Sequence, residues 1–234
     1  MMLTDNTVAE RPPLIAEIIG PAGAGKTTLS RALSQRNKKI VVGVRLCRIR
    51  YIPFFVSNTL FFLPTFLRQY RNSRWFTWAE TRSMMYLKAW HHVLGRQTLN
   101  NGMVTVLDHG PIFRLALLRE FGPEITTGQL YERWWDSTLN QWAATLDMLI
   151  WLDAPDAILM ERIHARNERH KVREKSEQEA YEFLARYRTS YEQIISMLAT
   201  GGGPRVLRFD TDQESVSQIV DQVLVAFDPE HSEG

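Results

Sequence analysis

Cys47 is the one cysteine among 234 residues, which excludes an internal disulfide and points to a reducing compartment. Long apolar runs are missing too. The most hydrophobic stretch, Tyr51 to Leu67, contains Pro53, Pro64 and Ser57-Asn58-Thr59 and falls short of the ~20 apolar residues that a membrane span needs. Met1 to Arg11 carries Asp5 and Glu10 and no apolar core, so no secretory signal is read there and a cytoplasmic location is expected. Acidic side chains are absent over a longer stretch. From Ile18 to Ala79 there is no Asp or Glu against eleven Lys and Arg, whereas residues 80 to 234 hold 16 basic and 23 acidic residues and the whole chain nets only +2. That asymmetry turns the first third towards anions, whether a nucleotide, an acidic substrate or a membrane surface. Lysine is scarce: 22 of the 28 basic residues are Arg, the side chain suited to bidentate phosphate contacts, although an arginine-rich codon usage would give part of that excess. Repeats, low-complexity tracts and linkers are lacking. One α/β domain over 14–226, with tails at 1–13 and 227–234, is therefore expected.

What the chain does contain is, first, a phosphate-binding loop. Gly20-Pro21-Ala22-Gly23-Ala24-Gly25-Lys26-Thr27 matches G-x-x-x-x-G-K-[ST] at every fixed position. Leu14 to Ile19 before it reads as a buried strand, and Thr27-Thr28 onward to Leu33 reads as a helix start. A strand, a glycine-rich turn and a helix aim backbone N–H groups at one point, and the positive helix end adds to the attraction for phosphate. Lys26 is then expected to reach the β- and γ-phosphates of a nucleoside triphosphate, and the Thr27 hydroxyl to ligate Mg²⁺.

Strands alternate with helical stretches, the pattern of a parallel sheet covered on both faces. Further strands are expected at Lys39–Val44, Met103–Leu107, Met148–Leu152 and Arg205–Phe209. Helices are expected over 57–100, with a break near Arg71-Asn72-Ser73, and over 111–121, 128–145, 156–168, 177–199 and 213–226. Ser176 with Glu179 has the capping-box pattern, and Gly201-Gly202-Gly203-Pro204 stops a helix.

Two more constellations carry chemistry. Val104 to Asp108 is an apolar strand ending in a carboxylate, the Walker B form, which holds Mg²⁺ through water at the carboxyl edge of a sheet. The structural alternative has Asp108 capping the helix that starts near Pro111. Leu152-Asp153-Ala154-Pro155 leads into a helix with Arg162, Arg166 and Arg169 along one face. Residues 162–176 read as an arginine lid closing over the γ-phosphate, or else as a solvated helix whose arginines pair with Glu161, Glu168, Glu174 and Glu177. Asp153 reads as a helix N-cap followed by a favourable proline.

With these features the chain resembles the nucleoside and nucleotide kinase branch of P-loop proteins, above all thymidylate kinase-like and deoxynucleoside kinase-like members. The likeness rests on Gly20–Thr28, Asp108, the Leu152–Pro155 element with its Arg-rich helix, the helix through Tyr187 and Tyr191, and a last strand running into Asp210-Thr211-Asp212. It implies an α/β P-loop NTPase fold: a five-stranded, mainly parallel sheet flanked by helices, with a helical acceptor insert at 51–100 and an Arg-rich lid. It also implies ATP and Mg²⁺ as cofactors, with Asp210, Thr211 and Asp212 beside the adenine. Two departures bear on the acceptor. Thymidylate kinases usually show Asp-Arg after the third strand, where this chain has Asp108-His109, with Arg114 one turn on as a substitute guanidinium. Deoxynucleoside kinases place a Glu base near the end of the second strand, where this chain has Arg45, Arg48 and Arg50. A hydroxyl benefits from a base, whereas a phosphate acceptor is already deprotonated. The expected acceptor is thus small and anionic or phosphorylated, contacted by Arg45, Arg48, Glu80, Arg82 and Arg114, although Asp108 could itself serve a hydroxyl as base.

The insert holds twelve aromatic residues between Tyr51 and Trp90. They read as core packing or, for 51–67 with its arginine flanks, as a peripheral membrane contact. Pro53 and Pro64 are expected to interrupt any long amphipathic helix, which favours the packed reading. Asn37-Lys38-Lys39-Ile40 fails the Asn-Lys-x-Asp pattern of GTPases, and Asp108-His109-Gly110-Pro111 fails their Asp-x-x-Gly. No nucleic-acid recognition motif accompanies the basic third. The expected activity is ATP-dependent phosphoryl transfer, with Lys26, Asp108, Arg162, Arg166 and Arg169 as catalytic groups. The alternative is a non-catalytic or regulatory nucleotide-binding protein at a membrane surface. A homodimer is left open.

Overall fold

The computed structural model describes residues 14–44, 48–69, 74–94, 103–165 and 176–228. An apolar strand needs cover on both faces, and β1 (Leu14–Ile19) obtains it at the middle of a five-stranded sheet. The order is β2-β3-β1-β4-β5, with β2 at Ile40–Val42, β3 at Val104–Asp108, β4 at Met148–Asp153 and β5 at Arg205–Asp210. The expectation was a mainly parallel sheet; all four pairings are parallel. Register sets Ile18 opposite Asp108 and Asp153 opposite Asp210. The strand ends that carry the candidate groups therefore share the carboxyl edge, where α/β sheets bind ligands.

The two-residue period of β1 divides its side chains between two cores. Ile15 and Ile19 face α3 (Trp78–Leu94), α4 (Pro111–Phe121), α5 (Gln129–Ala143) and α7 (Glu177–Ala199). Ala16 and Ile18 face α1 (Lys26–Arg36), α6 (Asp156–Ala165) and α8 (Val216–Phe227). Ser176 and Glu179 close the reciprocal capping box at the start of α7, and Ser215 with Gln218 does the same for α8, three residues later than expected.

In the insert, α2 (Ile52–Gln69) begins earlier than expected and runs through both prolines. Pro53 sits in the first turn, where a missing N–H costs no helical bond. Pro64 lies inside the helix and frees the Leu60 carbonyl on a side where Leu60 is exposed, so water can reach that carbonyl. The inner face of α2 packs: Asn58 and Phe62 are buried, and Phe62 stands edge-on to Phe76 and Trp134 at 5.5 and 5.7 Å. The expected break at Arg71-Asn72-Ser73 lies outside the described residues.

The same period puts a carboxylate, Glu17, on the α4 side of β1, with none of its surface exposed. Its oxygens accept the N–H groups of Ile112 at 2.8 Å and Phe113 at 3.0 Å. These are first-turn donors of α4, whose N-cap Gly110 offers no side chain. A Cβ on Gly110 would meet Glu17 at 2.6 Å, so only glycine permits this approach. Burial pushes the Glu17 carboxyl up to about 8; the two N–H donors and Arg114 pull it back and Asp108 raises it further. Its folded value lies above its ordinary 4.5, so the folded state holds more protons than the unfolded chain between 4.5 and about 8. Stability contributed by this group is therefore full below 4.5 and lost as pH rises through about 8. Urea unfolding across that window should show a flatter pH dependence for Glu17→Gln than for the unaltered chain. The amide, with one acceptor for two donors, should also cost about 1–3 kcal/mol. Equal slopes would mean that Glu17 does not titrate there.

Candidate active site

The turn after β1 is pressed against the end of β4. Gly20 has φ 142°, and a Cβ there would stand 2.0 Å from the Leu152 carbonyl oxygen. The turn ends at Gly25, which begins α1 with no side-chain cap and no acidic residue in the first turn. The leading N–H groups of α1 thus gain no side-chain acceptor from the cap residue, which suits an anion. Lys26 Nζ donates to the carbonyls of Gly20 and Pro21, both at 2.8 Å, and so lies over the loop.

Thr27 Oγ1 donates to Asp108 Oδ2 at 2.9 Å, which joins the loop to the end of β3. Asp108 does not cap α4, because Glu17 does that from β1. The other oxygen, Oδ1, is buried and has Nδ1 of His109 3.0 Å away. Burial raises the Asp108 carboxyl, yet His109, Thr27 and Lys26 together hold it below its ordinary value. His109 takes a left-handed backbone at φ 57° and sets its ring edge-on to Phe113 at 4.6 Å.

At the far end of the loop lies a cavity of about 390 Å³, lined among others by Gly23, Ala24, Gly25, Thr28, Arg162 and Thr211. Arg162 donates through Nη1 to Thr211 Oγ1 at 2.8 Å and through Nη2 to the Thr211 carbonyl at 2.9 Å. These contacts hold it in the wall beside Asp210-Thr211-Asp212. Arg166 and Arg169 lie outside the described residues, as does the rest of the expected lid to Lys175. Asp153 is no N-cap: α6 starts only at Asp156, and the carboxylate binds Arg188 of α7 at 2.8 and 2.9 Å. Asp210 accepts the N–H of Asp212 at 2.9 Å, which shapes this loop.

The acceptor candidates separate. Glu80 is buried and taken up by Arg74, Oε1 and Oε2 each at 2.8 Å from a guanidinium nitrogen, and by the Thr77 N–H at 2.7 Å. It starts α3 and is not open to a ligand. Arg82 is exposed on α3, Arg48 stands in a 3-10 turn, Arg48–Tyr51, and Arg45 lies outside the described residues. Arg114 is the distinctive one. It is 9% exposed, stacks against Tyr86 at 4.5 Å and Trp90 at 4.8 Å, and reaches Ser83 Oγ at only 3.4 Å. Its Nε has no partner. Burial draws the guanidinium down to about 10, with Arg82 adding to the fall while Tyr86, Glu17 and Tyr51 oppose it. The four-residue spacing of Tyr86 and Trp90 on α3 was the sequence signal for this wall. Glu17 was missed, although a lone charge in an apolar strand marks it. Asn58, buried with both amide atoms unpartnered, had no sequence signal.

A family model described as an AAA domain matches residues 15–191. Among solved structures, deoxyadenosine kinase from M. mycoides with bound dATP is similar at a TM-score of 0.53 and 15% identity, over 91% of this chain and 98% of that one. Thymidylate kinase from Candida albicans is similar at 0.55 and 17%, over 95% and 93%. The YorR protein of Bacillus subtilis, in complex with phosphorylated GDP, is similar at 0.52 and 15%, over 94% and 99%. At these identities the likeness shows the fold. No curated protein matches the chain in sequence.

Arg162→Ala distinguishes the two ends of the loop. A guanidinium at the base end should support nucleoside di- and triphosphate alike, so titration should show both binding weakened by the same factor, about tenfold for roughly 1.4 kcal/mol. A loss confined to the triphosphate would put Arg162 on the γ-phosphate.

Proposed function

The chain belongs to the AAA domain family, and we propose that it is an ATP-dependent phosphotransferase acting on a small anionic or already phosphorylated acceptor. The contact of Thr27 with Asp108 at 2.9 Å carries this reading. It brings a hydroxyl of the phosphate loop and an ionised strand-end carboxylate together. One hydroxyl and one carboxylate are the sparse protein donor set that suits Mg²⁺, whose remaining ligands are phosphate and water oxygens. When bound, the ion neutralises charge that develops between the β- and γ-phosphates.

Lys26 and the first N–H groups of α1 hold the phosphates, and the cavity beside Arg162 and Thr211 takes the base. Asp108 supports a metal rather than acting as base, because a carboxylate held below its ordinary value accepts a proton poorly. Arg114 supports an anionic acceptor. A buried guanidinium with an unpartnered Nε gains most from a charged ligand, and its aromatic walls keep it desolvated.

Transfer of labelled γ-phosphate from ATP to nucleosides, nucleoside monophosphates and sugar phosphates tests the reading. Labelled product should appear with one class of anionic acceptor. Release of inorganic phosphate alone, at a rate no acceptor changes, would replace transfer with hydrolysis. Lys26→Ala should lower turnover by orders of magnitude with the fold intact; normal turnover in the folded variant would remove the loop from the chemistry. Asp108→Asn keeps volume and removes charge, so activity and its dependence on added Mg²⁺ should fall together. A variant that is merely less stable, with normal activity per folded molecule, would return Asp108 to a structural role.

A further inference from the structure

We propose that the outer face of α2 docks on an anionic lipid bilayer. Ile52, Val56, Leu60, Leu63 and Leu67 recur at spacings of four, four, three and four, which places them in one stripe along the helix. They are 36% to 64% exposed. Of the thirteen large hydrophobic side chains exposed among the described residues, nine fall between Ile49 and Trp78. An apolar patch of this kind marks a contact site, and the buried inner face at Asn58 and Phe62 keeps α2 lying on such a surface rather than passing through it.

Charge identifies the occupant. Arg50 and Arg68 flank the stripe, both exposed. Residues 51–100 contain six Lys and Arg and a single carboxylate, Glu80, which is buried and held by Arg74. The insert therefore offers basic ends, an apolar middle and no free negative charge, the complement of an anionic headgroup layer over acyl chains. A second copy of the chain fits less well. Two such helices packed stripe to stripe would set Arg50 or Arg68 of one copy against an arginine of the other, and α2 itself holds no carboxylate to intervene. The Leu60 carbonyl freed by Pro64 would also be sealed in a dry helix–helix contact, whereas the headgroup layer keeps it wet.

The experiment is co-sedimentation of the full chain with vesicles of phosphatidylcholine alone and of phosphatidylcholine and phosphatidylglycerol in equal parts, at low and high salt. Binding to the mixed vesicles only, weakened by salt, is expected. Arg50→Ala with Arg68→Ala should lower partitioning about 30-fold, from ~1 kcal/mol per basic side chain near the surface. Leu60→Ser with Leu67→Ser should abolish it while circular dichroism and melting stay unchanged, since both side chains face solvent. Lys26→Ala should bind vesicles normally, so docking and phosphoryl transfer fail separately. Equal retention on both vesicle types would overturn the proposal. So would no retention on either, including the case in which a concentration-dependent dimer appears and the two leucine substitutions dissolve it.

Discussion

The site depends on one buried carboxylate. Glu17 reaches from the central strand to the first N–H groups of α4 at 2.8 and 3.0 Å, and Gly110 gives it room. That clamp fixes the distance between β1, which feeds the phosphate loop, and α4, which carries Arg114. It also satisfies the helix end that Asp108 would otherwise be free to cap, so Asp108 can turn to Thr27 instead. A helix N-terminus needs an acceptor from somewhere. Here the acceptor comes from a neighbouring strand, and the strand-end carboxylate becomes available for chemistry.

Much of the fold was legible because it rests on local patterns. Helices α4 and α7 lie at the expected 111–121 and 177–199, since Pro111, the Ser176 capping box and the Gly201-Gly202-Gly203 stop act within a few residues. Parallel pairing followed from strands alternating with helices, whereas strand order and register were less visible, because register is set by the facing strands. The loop, Thr27 and Asp108 were readable from sequence, and their 2.9 Å contact follows from Ile18 lying opposite Asp108. Side chains whose role depends on a distant element were misread. Glu80 looked like an acceptor contact but is taken up by Arg74, and Asp153 looked like a cap but binds Arg188; Arg162, expected in a lid, meets Thr211. Each partner lies outside the local window from which the role was inferred, or on another turn of chain whose direction spacing does not give.

Prolines misled for a different reason. A proline inside a helix leaves the carbonyl one turn back without its N–H donor, a small cost where water can donate instead, and on α2 that carbonyl belongs to the exposed Leu60. Packing of Phe62 against Phe76 and Trp134 outweighs the lost bond. The same helix is therefore a core element on one face and an uncovered apolar stripe on the other. The two readings of residues 51–67, packed insert and surface segment, describe opposite faces of one helix.

Glu17, Asp108 and Arg114 form a charge system whose members are pushed apart. Burial drives Glu17 up to about 8, while His109, Thr27 and Lys26 hold Asp108 low. Near neutral pH Glu17 is then mostly protonated and Asp108 is ionised. Burial disfavours charge on Glu17, which makes it a weak counter-ion to Arg114, and the Arg114 Nε stays without a partner among aromatic rings. The folded chain thus keeps a negative charge on Asp108, eased by Thr27, His109 and Lys26, and a buried positive charge on Arg114 among aromatic rings. In a low-dielectric setting a buried charge is costly alone, so a cation at Asp108 and an anion at Arg114 would each be favoured, as the proposed function requires. On the proposed reading, a metal-bound phosphate donor and an anionic acceptor would supply that pair of charges, so the same buried groups that cost stability would select what binds.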